Sequence, residues 1–215
     1  MGLVLAGIAG LIGLVLLLGG LALVSLYLFD RDDDGYFTSD TERLETDGYA
    51  INTDQIDLRA DPLPWAPEEV LGTVRIRAEP ADGEPVFVGI GTQNEVNAFL
   101  RGVRHATITD FGPITYDDQP GGAPRGPPAD EDLWVAQVAG EGEQVLRWDA
   151  EGGVWSVVVM NADAARGIAV DADAGVEVEY LQWAGLILAV LGLLLLAVAV
   201  IAGRAVARRP ARPAV

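Results

Sequence analysis

Two uncharged apolar runs, 3–29 and 181–203, enclose every acidic residue of the chain, and this limits the folds open to it more than any other feature. A helix rises about 1.5 Å per residue, so about 20 apolar residues cross a hydrocarbon core roughly 30 Å thick. Both runs exceed that length. Backbone polar groups inside lipid must be paired within their own segment, so each run is expected to be a transmembrane helix. A cleaved secretory signal is the competing reading of the first run. Such a signal has a basic start, a short apolar stretch and a small-residue cleavage site. Here no Lys or Arg precedes the run, the run is too long, and its exit reads Tyr27-Leu28-Phe29-Asp30.

The chain contains no Lys, so its 14 positive residues are all Arg. Four of them, Arg204, Arg208, Arg209 and Arg212, follow the second run in a basic tail over 204–215. Basic residues beside a span favour the cytoplasmic side. The expected topology is a plasma-membrane protein with two spans, both termini cytoplasmic and residues 30–180 outside. Tyr27, Phe29, Tyr180 and Trp183 stand where aromatic rings favour the headgroup level. Small residues recur four apart, as Ala6 with Gly10, Ala9 with Gly13 and Gly185 with Ala189. That spacing lets helix backbones approach closely in lipid. The two spans are therefore expected to touch, although a Gly- and Ala-rich sequence produces the same spacing by coincidence.

The segment 30–180 is long enough for one domain with a real core. Ten arginines against 32 acids leave it a formal charge of −22. So negative a surface repels phosphates and anionic lipid headgroups, which argues against nucleic acid as a partner. It favours cations, basic partners or simple solubility. A high-salt environment suits this composition, and a GC-rich genome yields a similar Arg, Ala and Gly bias. With no Cys in the chain, disulfides, thiol catalysis and iron–sulfur clusters are excluded.

Within 30–180 the pattern is one of short alternating runs between turn residues, which marks strands. In 73–79, Val74, Ile76 and Ala78 fall on one face and Arg75 and Arg77 on the other. Further runs are 85–90, 106–111, 134–139, 144–148, 154–160 and 167–174. In the last of these, Ile168, Val170 and Ala172 alternate with Asp171 and Asp173. Gly140-Glu141-Gly142 and Glu151-Gly152-Gly153 look like tight hairpin turns. Thr92-Gln93-Asn94-Glu95 reads as a capping box for one short helix with Val96, Phe99 and Leu100 as its apolar stripe, ending near Gly102. Residues 119–132, rich in Pro and Gly, read as an exposed loop. The predicted fold is mainly β: an antiparallel, jelly-roll-like β-sandwich flanked by two transmembrane helices.

The sharpest local motif is Asp30-Arg31-Asp32-Asp33-Asp34-Gly35. Asp30, Asp32 and Asp34, with the carbonyl of Tyr36, resemble the opening of an EF-hand-type calcium loop. The pattern departs at its twelfth position, where Thr41 stands in place of Glu and Glu42 comes one place late. The alternative is a solvated acidic membrane-exit segment, and Ser39-Asp40-Thr41-Glu42 reads as the cap of a short exiting helix. His105, the one His of the chain, reads as a surface or loop residue: no Gly-x-Ser-x-Gly elbow accompanies it, and one His cannot build the usual His-rich metal site. Trp134, Trp148 and Trp155 fall in strand patterns and are expected in the core, whereas Trp65 sits in a Pro-rich loop.

The stretches 34–43, 73–78 and 155–163 resemble an uncharacterised family of actinobacterial two-span membrane proteins with an extracytoplasmic β-rich domain. The resemblance covers most of the chain and implies the architecture already read from the residues. It implies no activity and no functional residues. The expected function is therefore that of an integral membrane protein with a non-enzymatic interaction or accessory domain, whose partners are the lipid bilayer and another membrane or envelope protein. No cofactor is expected unless the Asp30–Tyr36 loop takes calcium. A calcium- or glycan-binding surface module is the first alternative and a hydrolase the more remote one.

Overall fold

The computed structural model describes residues 2–29, 31–58, 72–177 and 180–207. Trp65 and its Pro-rich loop, Asp30, and the basic tail after residue 207 lie outside the described residues. The chain divides into two compact units, one containing both long helices and the other spanning Gly35–Val178.

The first unit consists of α1, Gly2–Phe29, and α3, Tyr180–Ala207. Each has 28 residues, about 42 Å at 1.5 Å per residue. Each contains a stretch long and apolar enough to cross a membrane, Gly7–Leu28 in one and Gln182–Arg204 in the other. The helices run antiparallel against each other and meet through glycine. A Cβ placed on Gly13 would lie 2.9 Å from the Gly192 carbonyl oxygen, and one on Gly20 would lie 2.6 Å from that of Gly185. Reciprocally, a Cβ on Gly192 would come within 2.6 Å of the Gly13 carbonyl oxygen. Gly13, Gly20, Gly185 and Gly192 are the buried residues of these helices among those whose side chains are described. They recur seven apart on each helix. The expected contact is present, but its period is seven rather than four, because two nearly antiparallel helices return the same face to each other every two turns. Of the four-apart pairs, Gly185 with Ala189 does join the seam, since the Ala189 backbone faces Gly20. The large apolar side chains point outward, with Leu11 65% and Ile201 68% exposed.

Among the described residues, the second unit holds twelve strands in two sheets. The five-stranded sheet contains β1 (Phe37–Thr38), β2 (Glu42–Thr46), β5 (Thr73–Pro80), β10 (Gln144–Asp149) and β12 (Ile168–Glu177). Its order is β1-β12-β5-β10, with β2 also on β12. The seven-stranded sheet contains β3 (Ala50–Thr53), β4 (Ile56–Asp57), β6 (Val86–Thr92), β7 (His105–Phe111), β8 (Ile114–Gln119), β9 (Trp134–Gly140) and β11 (Val154–Asn161). Its order is β8-β7-β3-β11-β6-β9, with β4 on β11. One apolar core joins the two sheets. Leu44, Ile76, Leu146 and Val170 come from the first, and Ile51, Val88, Ile108, Trp155 and Val159 from the second. The seven strands read from alternation are all present, each within two residues of its expected start and, except for the last, its expected end.

The seven-stranded sheet is buried on its other face as well. There Phe87, Val158 and Met160 pack beneath α2 (Gln93–Phe99), which contributes Val96. This explains why β6 and β11 are nearly continuous apolar runs. α2 begins as its sequence requires. The Thr92 hydroxyl accepts from the Glu95 N–H at 3.4 Å and donates to the Glu95 carboxylate at 2.6 Å, a cap worth about 1 kcal/mol. Gly102, at φ 79°, follows the helix in a conformation that L side chains rarely adopt.

Three expectations need correction. First, β3 and β7 pair in parallel, Ala50 with His105 through Thr53 with Ile108, so this sheet is mixed. A parallel neighbour needs a long crossover, and the chain between β3 and β7 supplies one by visiting the other sheet and then passing through α2. Second, neither glycine turn closes a hairpin. β9 pairs with β6, β10 with β5 and β11 with β6, so both turns carry the chain from one sheet to the other. Their glycines permit the reversal, but core burial selects the partner. The β-hairpin that does form is β7–β8. Third, Ser39–Glu42 starts no helix. The Ser39 N–H donates to the Ala174 carbonyl at 2.9 Å, which commits this segment to β12, and Glu42–Thr46 continues as β2.

Candidate functional site

Two polar arrangements in the two-sheet domain stand out, one on the outer face of each sheet. On the five-stranded sheet, the alternation of β5 and β12 sends arginines and aspartates to the same side. Arg77 lies opposite Asp173 in register and donates to its carboxylate at 3.0 Å. Arg43 on β2 faces Asp171 across the next pair of strands at 3.1 Å and Glu45 on its own strand at 2.8 Å. The hydrogen bonds from Arg43, first to Glu45 and then to Asp171, hold its guanidinium pKa above the ordinary value. The Arg43 pairs are exposed and contribute little individually, whereas Asp173 is largely buried under Arg77; in register, both select strand partners.

Arg75 departs from the surface role that its alternation suggests. It is 0% exposed. Its guanidinium lies 4.3 Å from the centre of the Tyr36 ring and donates to the Thr38 hydroxyl at 3.0 Å. Gly175 makes the space: a Cβ there would be 3.1 Å from both the Thr38 hydroxyl and the Tyr36 Cβ. The arrangement fastens β1 to β5 across β12. It is a structural clasp, since the guanidinium, the ring and the hydroxyl engage one another.

This fixes the position of Tyr36, the fourth member of the proposed calcium loop. It is buried in the two-sheet unit, whereas Asp32 and Asp34 belong to the unit of the long helices. In that unit the Asp34 N–H donates to the Asp32 carboxylate at 3.1 Å, and the Arg31 guanidinium sits 4.2 Å from the Tyr27 ring centre. Asp30 is outside the described residues. Among the described residues no group of three or more His, Cys, Asp or Glu is arranged to hold a metal ion.

The second arrangement is a cleft of about 450 Å³ beside α2. Its floor is the part of the seven-stranded sheet that α2 leaves uncovered. Asn52, Thr107 and Asp117 stand side by side on β3, β7 and β8, and His105 and Gln119 form the neighbouring pair. The residues between them face the opposite way, as Ile51 and Ile108 in the core show. Gln93 and Asn97 form the wall, joined by a 3.1 Å amide hydrogen bond. Thr107 donates to Asn52 at 2.9 Å, and Gln119 to Asp117 at 2.8 Å. His105 Nδ1 lies 2.8 Å from the Val103 carbonyl. A carbonyl partner requires the proton on Nδ1, which leaves Nε2 as an acceptor in the neutral ring. The cleft thus mixes acceptors, at Asp54, Asp117 and His105, with donors, at Arg101 and Asn97. No Ser or Thr hydroxyl bonds the His105 ring among the described residues.

The expected surface His is thus a half-buried lining residue at the start of β7. The cleft itself was missed because its residues come from four elements. Their alternation was a usable signal only for β7. Trp134, Trp148 and Trp155 are in the cores as expected, Trp148 against Trp155 at 4.8 Å and Trp134 against Phe87 at 5.1 Å between ring centres. Compared with known proteins, the chain matches no family model and no curated sequence.

Proposed function

We propose that the protein is an integral membrane protein in which α1 and α3 span the plasma membrane as a hairpin, and that it presents a jelly-roll-like β-sandwich outside as a non-enzymatic interaction or accessory domain for another membrane or envelope protein. The observation that carries this reading is the inversion of the helix pair. Its glycines are inside and its leucines outside, which in water would expose two bare apolar rods and in lipid satisfies both packing and solvation. Arg204 in the last turn of α3, with the arginines that follow it in sequence, supports a cytoplasmic C-terminus.

The absence of cysteine makes the topology directly testable. A single cysteine at Glu141, in the exposed turn before β10, is expected to react with a membrane-impermeant maleimide in intact cells. One at Ala214 is expected to react only after lysis. The reverse pattern would place the domain in the cytoplasm and overturn the reading. Affinity purification of the tagged full-length protein in mild detergent tests the interaction role: a second membrane or envelope protein is expected at fixed stoichiometry, and its absence would remove that role.

A further inference from the structure

Carboxamides are scarce in this chain, and they are gathered. Of its ten Asn and Gln residues, four line the cleft beside α2: Asn52, Gln93, Asn97 and Gln119. His105, the single His, and Thr107 join them. The chain holds 32 acids, so a polar surface drawn from it at random would be mainly carboxylate. Instead the topology brings neutral hydrogen-bonding groups from β3, α2, β7 and β8 to one place. The wall of the cleft is incomplete as it stands. Gln93 donates to Asn97, while its own Oε1 is buried with no hydrogen-bond partner among the described residues. Native domains leave few buried polar atoms in that state.

We infer that this cleft is a binding site for a neutral saccharide. Groups that only donate stand beside groups that only accept. Asn97 receives the Gln93 amide on its oxygen and keeps Nδ2 to donate, as Arg101 keeps its guanidinium, while His105 Nε2 and the Asp117 carboxylate accept. A sugar hydroxyl both donates and accepts, so a ring of hydroxyls matches such an interleaved set. A hydroxyl that draws the Gln93 amide toward the cleft also supplies its missing donor. Net charge of either sign is disfavoured, an anion by Asp54 and Asp117 and a cation by Arg101. No Phe, Tyr or Trp is among the lining residues, so a base or aromatic ligand finds no stacking surface. For the same reason affinity rests on hydrogen bonds, and a dissociation constant in the millimolar range is expected. At about 450 Å³ the cleft has the size of a small-molecule site and admits a short saccharide. It lies wholly within the two-sheet domain, so this is a second role beside that of the partner-protein module, and neither result decides the other.

Saturation-transfer NMR on the full-length protein, held in a detergent without a sugar headgroup, reads weak binding directly. The probes are neutral mono- and disaccharides of glucose, galactose, mannose and N-acetylglucosamine, with glucuronate and glucosamine as charged counterparts. At least one neutral probe is expected to bind, more tightly than either charged one and with an affinity that salt leaves unchanged. Asn97→Ala and Arg101→Ala, at exposed positions, are each expected to weaken it about tenfold through the loss of a hydrogen-bonding partner. Asn94→Ala, on the same helix but outside the cleft lining, is expected to bind like the parent chain. No binding of any neutral probe, a preference for a charged one, or parental affinity in both Asn97→Ala and Arg101→Ala would each overturn the proposal.

Discussion

Gly20→Leu is expected to separate α1 from α3. The Gly20 position faces the Ala189 backbone and would place a Cβ 2.6 Å from the Gly185 carbonyl oxygen. No rotamer relieves a clash with backbone, so the helix axes must move apart. The close approach that replaces hydrophobic driving force inside lipid is then lost. Overpacking of this kind costs about 1–3 kcal/mol, a large part of what holds two helices together in a bilayer. The seam supplies its own reporter. A Cβ on Gly10 would lie 3.6 Å from the Ala199 Cβ, within the span that a disulfide bridges. Gly10→Cys with Ala199→Cys in this cysteine-free chain is expected to cross-link readily under mild oxidation. Adding Gly20→Leu is expected to reduce the cross-linked fraction several-fold. Gly19→Leu serves as the control, since a Cβ there meets nothing within 4 Å. Equal cross-linking in all three backgrounds would show that the glycine seam does not hold the pair.

Phe87→Ala is expected to be the most damaging single truncation in the two-sheet domain. Phe87 is 0% exposed and packs against Trp134 between the seven-stranded sheet and its covering layer. Removing a buried Phe costs about 3–5 kcal/mol, the transfer term plus the cavity. For a domain of this size that lowers the melting midpoint by roughly 10–15 °C. The cavity opens beside Trp134, which also packs on Phe99 at 5.7 Å, so near-ultraviolet circular dichroism of the tryptophans is expected to weaken with it. Gly89 reinforces the point, since a Cβ there would lie 2.7 Å from the Trp134 ring. A loss below about 1 kcal/mol would mean that the covering layer closes over the gap.

What could be read from the residues follows from what decides each element. β5, β9 and β12 are half-buried strands, and burial on one face writes alternation into the sequence. β3 is buried at all four positions, so Ala50–Thr53 carries no period. β2 buries only Leu44, too little pattern to identify a strand. The capping box at Thr92 was legible because its chemistry is complete within four residues. The parallel pairing of β3 with β7 and the exchange of sheets at Gly142 and Gly152 were not, because partners are selected by core contacts remote in sequence. The same holds for the site. Asp117 and Asn52 are unremarkable surface-type residues until β7 brings them together, and Arg75 looks like Arg77, two residues on, until Gly175 leaves room for its side chain.

The pairing of β12 with β1, β2 and β5 also sets a timetable. Phe37 waits for Val176, and Leu44 for Val170, so the earliest strands of the domain find their partner only in its last strand. Contacts so distant in sequence slow folding. During synthesis, β1 and β2 and the free side of β5 must remain unpaired until nearly the whole domain has emerged. A chain stopped short of residue 168 lacks the strand that joins the three, and their edges stay open until it arrives.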